Sequence, residues 1–147
     1  DTLARADRFV LVEAAGGAGT PYSKGTLALD LGRILDIPAV VVARATLGTV
    51  GHTLLALRAM HQARVTCAAV VLCRVPGFPV GPEEPTNGPL IEAHSALVPV
   101  LGTLPLLEVP MPHAGSAEDV RAWADRHVDV LAQHVDVTRL IADVTGP

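Results

Sequence analysis

Two segments of the chain combine a short apolar run with a glycine turn. The first, Phe-Val-Leu-Val-Glu-Ala-Ala-Gly-Gly over 9–17, ends at Gly16 and Gly17 and carries one acid, Glu13. The second is Leu-Gly-Thr-Val-Gly-His-Thr-Leu-Leu over 47–55. In a parallel α/β sheet, such turns bring backbone N–H groups to the carboxyl ends of the strands, where anionic ligands bind. The two segments therefore predict an anion-binding site that includes one carboxylate.

The chain lacks the motif that supplies most of a triphosphate site. The phosphate-binding loop G-x-x-x-x-G-K-[ST] cradles phosphates with backbone N–H groups and one lysine. The only lysine is Lys24, which stands in Ser-Lys-Gly, and no copy of the motif occurs. The residues present thus account for about half of a nucleotide site.

Length and composition indicate one domain built around a buried sheet. A chain of 147 residues can bury a sizeable core but is short for two domains. Half of the residues are hydrophobic and only 3% are aromatic. Side-chain bulk from Val, Leu, Ala and Ile is typical of a parallel sheet covered on both faces.

Charge and cysteine usage exclude several classes of protein. A formal charge of −4 and scattered arginines argue against a nucleic-acid partner. Cys67 and Cys73 lack metal-ligand or redox spacing, so we expect buried, reduced thiols of a cytoplasmic protein. No apolar run reaches membrane-spanning length, and the charged first residues are unlike a signal peptide. We therefore expect no membrane association.

Hydrophobic periodicity predicts alternating strands and helices. The predicted strands are 9–12, 39–43, 68–72 and 98–105, the last including its turn. The predicted helices are 26–36, 49–64, 90–97, one that starts at a capping box at Ser116, and 137–144. Residues 75–89, rich in proline and glycine, are predicted to form a loop. This order is typical of crossover units in a parallel sheet.

Four blocks of the chain resemble dethiobiotin synthetases. They are Val-Glu-Ala-Ala-Gly-Gly with Pro21, Asp-Leu followed by Ile-Pro-Ala-Val, Leu-Gly-Thr-Val-Gly-His-Thr-Leu-Leu-Ala, and Val-Pro-Val-Leu-Gly-Thr-Leu-Pro. The resemblance implies an α/β, P-loop NTPase-like three-layer sandwich, a parallel sheet flanked by helices. Residues 1–147 would be the carboxyl-terminal portion of that domain, lacking the amino-terminal units that hold the phosphate-binding loop.

The family's activity is an ATP- and Mg²⁺-dependent ligation that carboxylates 7,8-diaminopelargonate and closes the ureido ring in biotin biosynthesis. By resemblance, Glu13 is the catalytic, metal-binding carboxylate. The implied nucleotide-binding residues are Gly16, Gly17, Cys73, Thr103, Leu104 and Pro105. The implied substrate-binding residues are Leu47, Gly48, Thr49, Val50 and Gly51, reached across a homodimer interface.

Three positions depart from the family pattern. Ala14 replaces a glycine, Gly51 replaces a substrate-binding asparagine, and Cys73 replaces the asparagine that reads adenine. A thiol cannot form the paired hydrogen bonds of an amide. Two functions stay open: a ligase that is active only with the missing phosphate-loop portion, and a non-catalytic module for dimerisation or regulation.

The expected partner follows from the sheet. A parallel sheet without its first strands would have an open apolar edge, which proteins rarely leave uncovered. We expect the missing amino-terminal half, or a second copy of the chain, to cover it.

Overall fold

The computed structural model describes residues 10–107 and 116–145. A short hairpin precedes three parallel strands that are connected and flanked by helices. In chain order the elements are β1 (Pro21–Ser23), β2 (Thr26–Leu27), α1 (Ala28–Leu35), β3 (Ala39–Arg44), α2 (Thr49–Gln62), β4 (Cys67–Cys73), α3 (Glu84–His94), β5 (Val100–Leu104), α4 (Ala117–Ala132) and α5 (Val137–Thr145). The predicted α/β class is confirmed.

The three-stranded sheet has the order β3-β4-β5, and both strand pairs are parallel. Helix α2 connects β3 to β4, and α3 connects β4 to β5. The run of β-branched residues in β3 favours a strand because such side chains pack well on a pleated surface. The predicted strands at 39–43, 68–72 and 98–105 correspond to β3, β4 and β5.

Helices cover both faces of the sheet. One core cluster joins β4 to α2 and α3 and consists of Ala45, Leu57, Val70, Leu72 and Ile91. The second lies on the other face, where Leu140 of α5 packs against it, and consists of Ala69, Val71, Leu101 and Val135. Alternate residues of β4 therefore supply the two cores, as the two-residue period of a strand requires. This arrangement is consistent with the P-loop NTPase-like fold implied by the resemblance.

The capping box at Ser116 forms as predicted. Asp119 N–H donates to the Ser116 hydroxyl at 3.2 Å, and Ser116 N–H donates to the Asp119 carboxylate at 2.7 Å. These bonds satisfy two donors that the first turn of α4 would otherwise leave unpaired. Hydrogen bonds from Ser116 lower the pKa of Asp119 because they favour its charged form.

The strand predicted at 9–12 is wrong for the residues that the structure describes. Val10 to Val12 belong to no strand, and the Leu11 side chain is 83% exposed. Phe9 lies outside the described residues. An apolar run becomes a strand only where another strand accepts its hydrogen bonds, and the sheet of β3, β4 and β5 does not include this segment.

The loop predicted at 75–89 is too long. Helix α3 begins at Glu84, inside that range. Pro85 stands in the first helical turn, where a missing N–H costs nothing. Pro89 lies inside the helix and removes one bond to the preceding turn. The predicted loop is confirmed over 75–83, and residues 84–89 are helical.

None of the helices in the described ranges is long and apolar enough to cross a membrane.

Candidate functional site

The carboxyl ends of the three strands align at one edge of the sheet. Arg44 at the end of β3 pairs in register with Cys73 at the end of β4, and Cys73 pairs with Leu104 at the end of β5. We call the line of Arg44, Cys73 and Leu104 the carboxyl edge. Ligands of open α/β sheets bind outside such an edge. The fold therefore brings three predicted nucleotide-binding residues, Cys73, Leu104 and the adjoining Pro105, to one place.

The side chains of the carboxyl edge share one face of the sheet. Cys73 and Leu104 both pack against the second core cluster. Arg44 points the same way, because Val40 packs against that cluster and side chains two residues apart share a face. Thr103 differs, since its register partner Leu72 belongs to the first cluster. Thr103 lines a cleft of about 280 Å³ between α3 and β5, together with Glu84, Gly88 and Glu92.

The resemblance implies that Cys73 contacts the base of a nucleotide, but the chemistry of its thiol is limited. The thiol is half-buried and belongs to no disulfide. Burial raises the pKa of the Cys73 thiol, because the thiolate loses hydration, so the group stays neutral at neutral pH. A neutral thiol is one weak donor and cannot form the paired hydrogen bonds of an asparagine.

Cys67 is separate from the site. It begins β4, so roughly 20 Å of extended strand lies between its backbone and that of Cys73. Its thiol donates to the Ala69 carbonyl at 3.3 Å, and burial raises the pKa of that thiol too. A disulfide between the two is geometrically excluded. Both thiols are half-buried, not fully buried as predicted.

The predicted substrate segment forms the turn from β3 into α2. Gly48 caps α2 with a φ of 88°, a left-handed conformation that glycine adopts without strain. Thr49 is buried, Val50 is half-buried, and Leu47 and Gly51 are exposed. The first turn of α2 presents backbone N–H groups and the positive end of the helix dipole. Ala45 N–H donates to the Cys73 carbonyl at 2.8 Å, which connects this turn to the carboxyl edge.

The glycine turn after Glu13 is formed, but its backbone hydrogen bonds do not reach the carboxyl edge. Gly16 has a φ of 88°, and Thr20 N–H donates to the Gly17 carbonyl at 2.9 Å. Leu29 N–H of α1 donates to the Ala18 carbonyl at 3.0 Å. The backbone bonds of this turn to other described residues therefore connect it to α1 and not to the carboxyl edge. The carboxylate of Glu13 is exposed and pairs with no described residue.

A sequence-family model described as an AAA domain matches residues 1–114, most of the chain. The chain belongs to this family. It is also related to curated proteins named ATP-dependent dethiobiotin synthetase BioD. The protein from Bacillus velezensis is 33% identical over 120 residues, and that from Bacillus licheniformis is 36% identical over 120 residues. Each alignment covers 82% of this chain and 48% of the relative.

A third relative, from Bacillus cereus, is 39% identical over 99 residues, which cover 67% of this chain and 40% of the relative. The chain therefore spans about half the length of the curated relatives it matches. The dethiobiotin synthetase resemblance expected from the four sequence blocks is confirmed.

The structure shows further residues near the carboxyl edge that the sequence patterns did not identify. Arg74, directly after β4, forms a two-pronged ion pair with Glu84, with Nε 3.1 Å from each carboxylate oxygen. Its backbone N–H donates to the Leu104 carbonyl at 3.0 Å. The Arg44 guanidinium lies over the Phe78 ring, 5.6 Å from its centroid. The sequence does carry one signal for these contacts, because an arginine stands at the end of each of two successive apolar runs, Arg44 after the first and Arg74 after the second.

The described ranges contain no group of three His, Cys, Asp or Glu side chains that could hold a metal ion. Mg²⁺ often takes only one or two carboxylates, with phosphate oxygens and water as its other ligands. A single exposed carboxylate such as Glu13 fits that requirement.

Proposed function

We propose that this chain is the carboxyl-terminal portion of an ATP-dependent ligase of the dethiobiotin synthetase type, active with a segment that supplies the phosphate-binding loop. The relationship to ATP-dependent dethiobiotin synthetases is the observation that supports this most strongly. The matched family region, residues 1–114, includes the carboxyl edge and the turn into α2. Its co-substrate would be ATP and its metal Mg²⁺.

The reaction joins carbon dioxide to one amine of 7,8-diaminopelargonate as a carbamate. ATP transfers its γ-phosphoryl group to the carbamate, and the second amine then closes the ureido ring and displaces phosphate. Every intermediate is anionic, so positioning and charge stabilisation supply most of the catalysis. Positive dipole ends and backbone N–H groups suit this chemistry.

We assign the substrate's carboxylate to the first turn of α2. The left-handed Gly48 opens this turn, and Val50 and Gly51 follow it with backbone N–H groups. Gly51 lacks the amide side chain of the family, so backbone groups alone would bind the substrate here.

The nucleotide would lie along the carboxyl edge. Cys73, Leu104 and Pro105 would contact its base, and Thr103 would support the turn from the opposite face. Glu13 would hold Mg²⁺ next to the phosphates, with Gly16 and Gly17 presenting backbone N–H groups.

The open edge of β3 supports a partner polypeptide. Within the described sheet β3 pairs with β4 alone, so its other edge is open. Val42 of β3 is 67% exposed, and Val10 to Val12 are apolar and exposed as well. A strand supplied by the phosphate-loop portion, or by a second copy of the chain, would cover these residues and complete the sheet.

A non-catalytic module for dimerisation or regulation is the second candidate. Its supporting observation is Cys73, whose neutral thiol stands at the base-reading position. The bonding of the glycine turn to α1 and not to the carboxyl edge favours it too.

Product formation tests the ligase. The 147-residue chain is mixed with a segment that carries a strand and G-x-x-x-x-G-K-[ST], together with ATP, Mg²⁺, bicarbonate and 7,8-diaminopelargonate. We expect dethiobiotin, detected by mass, only when both polypeptides are present. The control is the same segment with its loop lysine replaced by alanine. A stable complex that forms no dethiobiotin would favour the non-catalytic module.

A further inference from the structure

We propose that Phe78 is a stacking platform for the base of the nucleotide, held in place by Arg44. The chain then recognises the flat face of the base and not its hydrogen-bonding edge. This inference rests on the proposed nucleotide site and adds a specificity-determining residue to it.

The position of Phe78 is fixed relative to the carboxyl edge. Arg44 is the register partner of Cys73 and shares its face of the sheet. Because the Phe78 ring lies 5.6 Å from the Arg44 guanidinium, the ring stands beside the same edge. Residue 73 is the position at which the family reads adenine, so an aromatic surface adjoins the expected base.

The ring is both held and accessible. The Arg44 guanidinium lies over the ring and restrains its orientation. The base of the loop is held by Arg74, which pairs with Glu84 of α3 and donates its N–H to Leu104 of β5. Even so, Phe78 is 52% exposed. A half-exposed aromatic ring on a braced loop can stack against a ligand with little reorganisation.

Stacking does not need the paired hydrogen bonds that Cys73 is unable to form. Cys73 cannot pair with the edge of adenine as an asparagine amide can. Stacking on an aromatic ring is worth a substantial part of base binding and tolerates any base, because each base has a π-face. A site built on Phe78 and Cys73 should therefore bind nucleotides with weak discrimination between adenine and guanine.

Nuclear magnetic resonance titration of the 147-residue chain tests the platform. The probes are AMP, GMP and UMP, since monophosphates do not need the missing triphosphate cradle. We expect upfield shifts of the Phe78 ring protons and of the base protons. Dissociation constants for AMP and GMP should lie within a few-fold of each other, and UMP should bind more weakly because its ring stacks less.

Variants separate the platform from its surroundings. Phe78→Ala should weaken AMP and GMP binding about tenfold or more, whereas Phe78→Trp should keep it. Val80→Ala is the matched control, since Val80 is an exposed apolar residue of the same loop; it should bind like the unaltered chain. Cys73→Asn should restore a preference for AMP over GMP.

Two results overturn the inference: no binding of any nucleotide by the unaltered chain, or equal AMP binding by Phe78→Ala. Ligase activity is tested by a separate measurement, the formation of dethiobiotin. Dethiobiotin formed by Phe78→Ala with an unchanged KM for ATP would overturn the platform and leave the ligase standing. Phe78-dependent AMP binding without dethiobiotin would support the platform and count against the ligase.

Discussion

Gly102 of β5 forms an antiparallel bridge with Val135, which lies in the short connection between α4 and α5. Asp136 N–H donates to the Leu101 carbonyl at 3.0 Å beside this bridge. A Cβ atom at position 102 would collide with the His134 carbonyl oxygen, and the φ of 143° is one that glycine adopts easily. The glycine of the Val-Leu-Gly-Thr-Leu-Pro block thus lets the chain between α4 and α5 pack directly on the sheet.

Gly102→Ala should therefore destabilise the protein. The new methyl group forces the backbone at 134–135 away from β5 and loosens the second core cluster, at a cost of roughly 1–3 kcal/mol. Urea unfolding followed by circular dichroism measures it. Gly19→Ala is the control, because a Cβ at Gly19 meets nothing within 4 Å. Equal unfolding midpoints for the two variants would contradict the role of the close approach.

The capping box predicts an acid sensitivity of α4. The Asp119 carboxylate accepts hydrogen bonds from Ser116, and its pKa is lowered in the folded chain. Because the folded pKa lies below the unfolded one, this stabilisation is fully present above the unfolded value of about 3.9 and is lost as pH falls through the folded pKa. Hydrogen exchange of α4 amides should speed up as the solution is acidified through this range, after correction for intrinsic rates.

Ser116→Ala isolates the capping box. It removes one acceptor and one donor to Asp119, so α4 amides should exchange faster at neutral pH and their exchange should depend less on acid. Ser95→Ala is a control outside α4. An unchanged acid response in Ser116→Ala would show that the carboxylate is stabilised by another group.

The isolated chain should bind ATP weakly. The phosphate-binding loop supplies backbone and lysine contacts, and each charge-assisted hydrogen bond is worth about 1.5–3 kcal/mol. Without them, calorimetry on the chain alone should give a dissociation constant far above the micromolar range. Addition of the phosphate-loop segment should tighten it. Micromolar affinity for the chain alone would mean that its own residues form a phosphate site.

Sequence patterns predicted the elements whose signals are local. The β-branched run at 39–43, the amphipathic helix from Thr49 and the capping box at Ser116 each carry their own evidence within a few residues. Long-range pairing carries no such signal. Val10 to Val12 have the composition of a strand but lack a neighbour in the described sheet, and the approach of Phe78 to Arg44 joins residues far apart in the chain.

The residues of the candidate site also fall into two groups, those that the fold brings together and those that it does not. The family resemblance implied the site's members on β4, β5 and the turn into α2. The parallel order of the strands, which places all carboxyl ends together, explains why the fold brings these residues to one edge. Glu13, Gly16 and Gly17 precede α1, and the backbone hydrogen bonds of their turn lead to α1 and not to the carboxyl edge. Their proposed roles therefore need chain segments that this sheet does not contain. The start of α3 was not predicted because the stretch before Pro89 is rich in proline, which usually indicates a loop. The sequence alone does not show that Pro85 falls in the first turn of a helix, where proline is tolerated.

Glu13→Gln tests the metal role. The amide keeps the size of the side chain but removes the charge that Mg²⁺ requires. In the complete assembly, dethiobiotin formation should fall at least tenfold while the melting temperature stays unchanged, since Glu13 is exposed and pairs with no described residue. Glu118→Gln, another exposed acid, should leave the rate unaltered. Full activity in Glu13→Gln would make Glu13 an ordinary solvated side chain.

The open edge of β3 predicts association. Val42 of β3 lies on the same face of the sheet as the second core cluster, but its side chain is 67% exposed, far more than that of Val70 or Val71 of β4. The unaltered chain should therefore scatter light as a dimer or larger assembly, or as a complex with the phosphate-loop segment when that is supplied. Val42→Lys places a charge on this surface and should shift the chain towards monomer without lowering its melting temperature, because the side chain is already exposed. Val128→Lys, at an exposed position of α4, should not change the assembly state. A cooperative, soluble monomer of the unaltered chain at micromolar concentration would show that the edge is covered from within the chain, and the proposed partner strand would then be wrong.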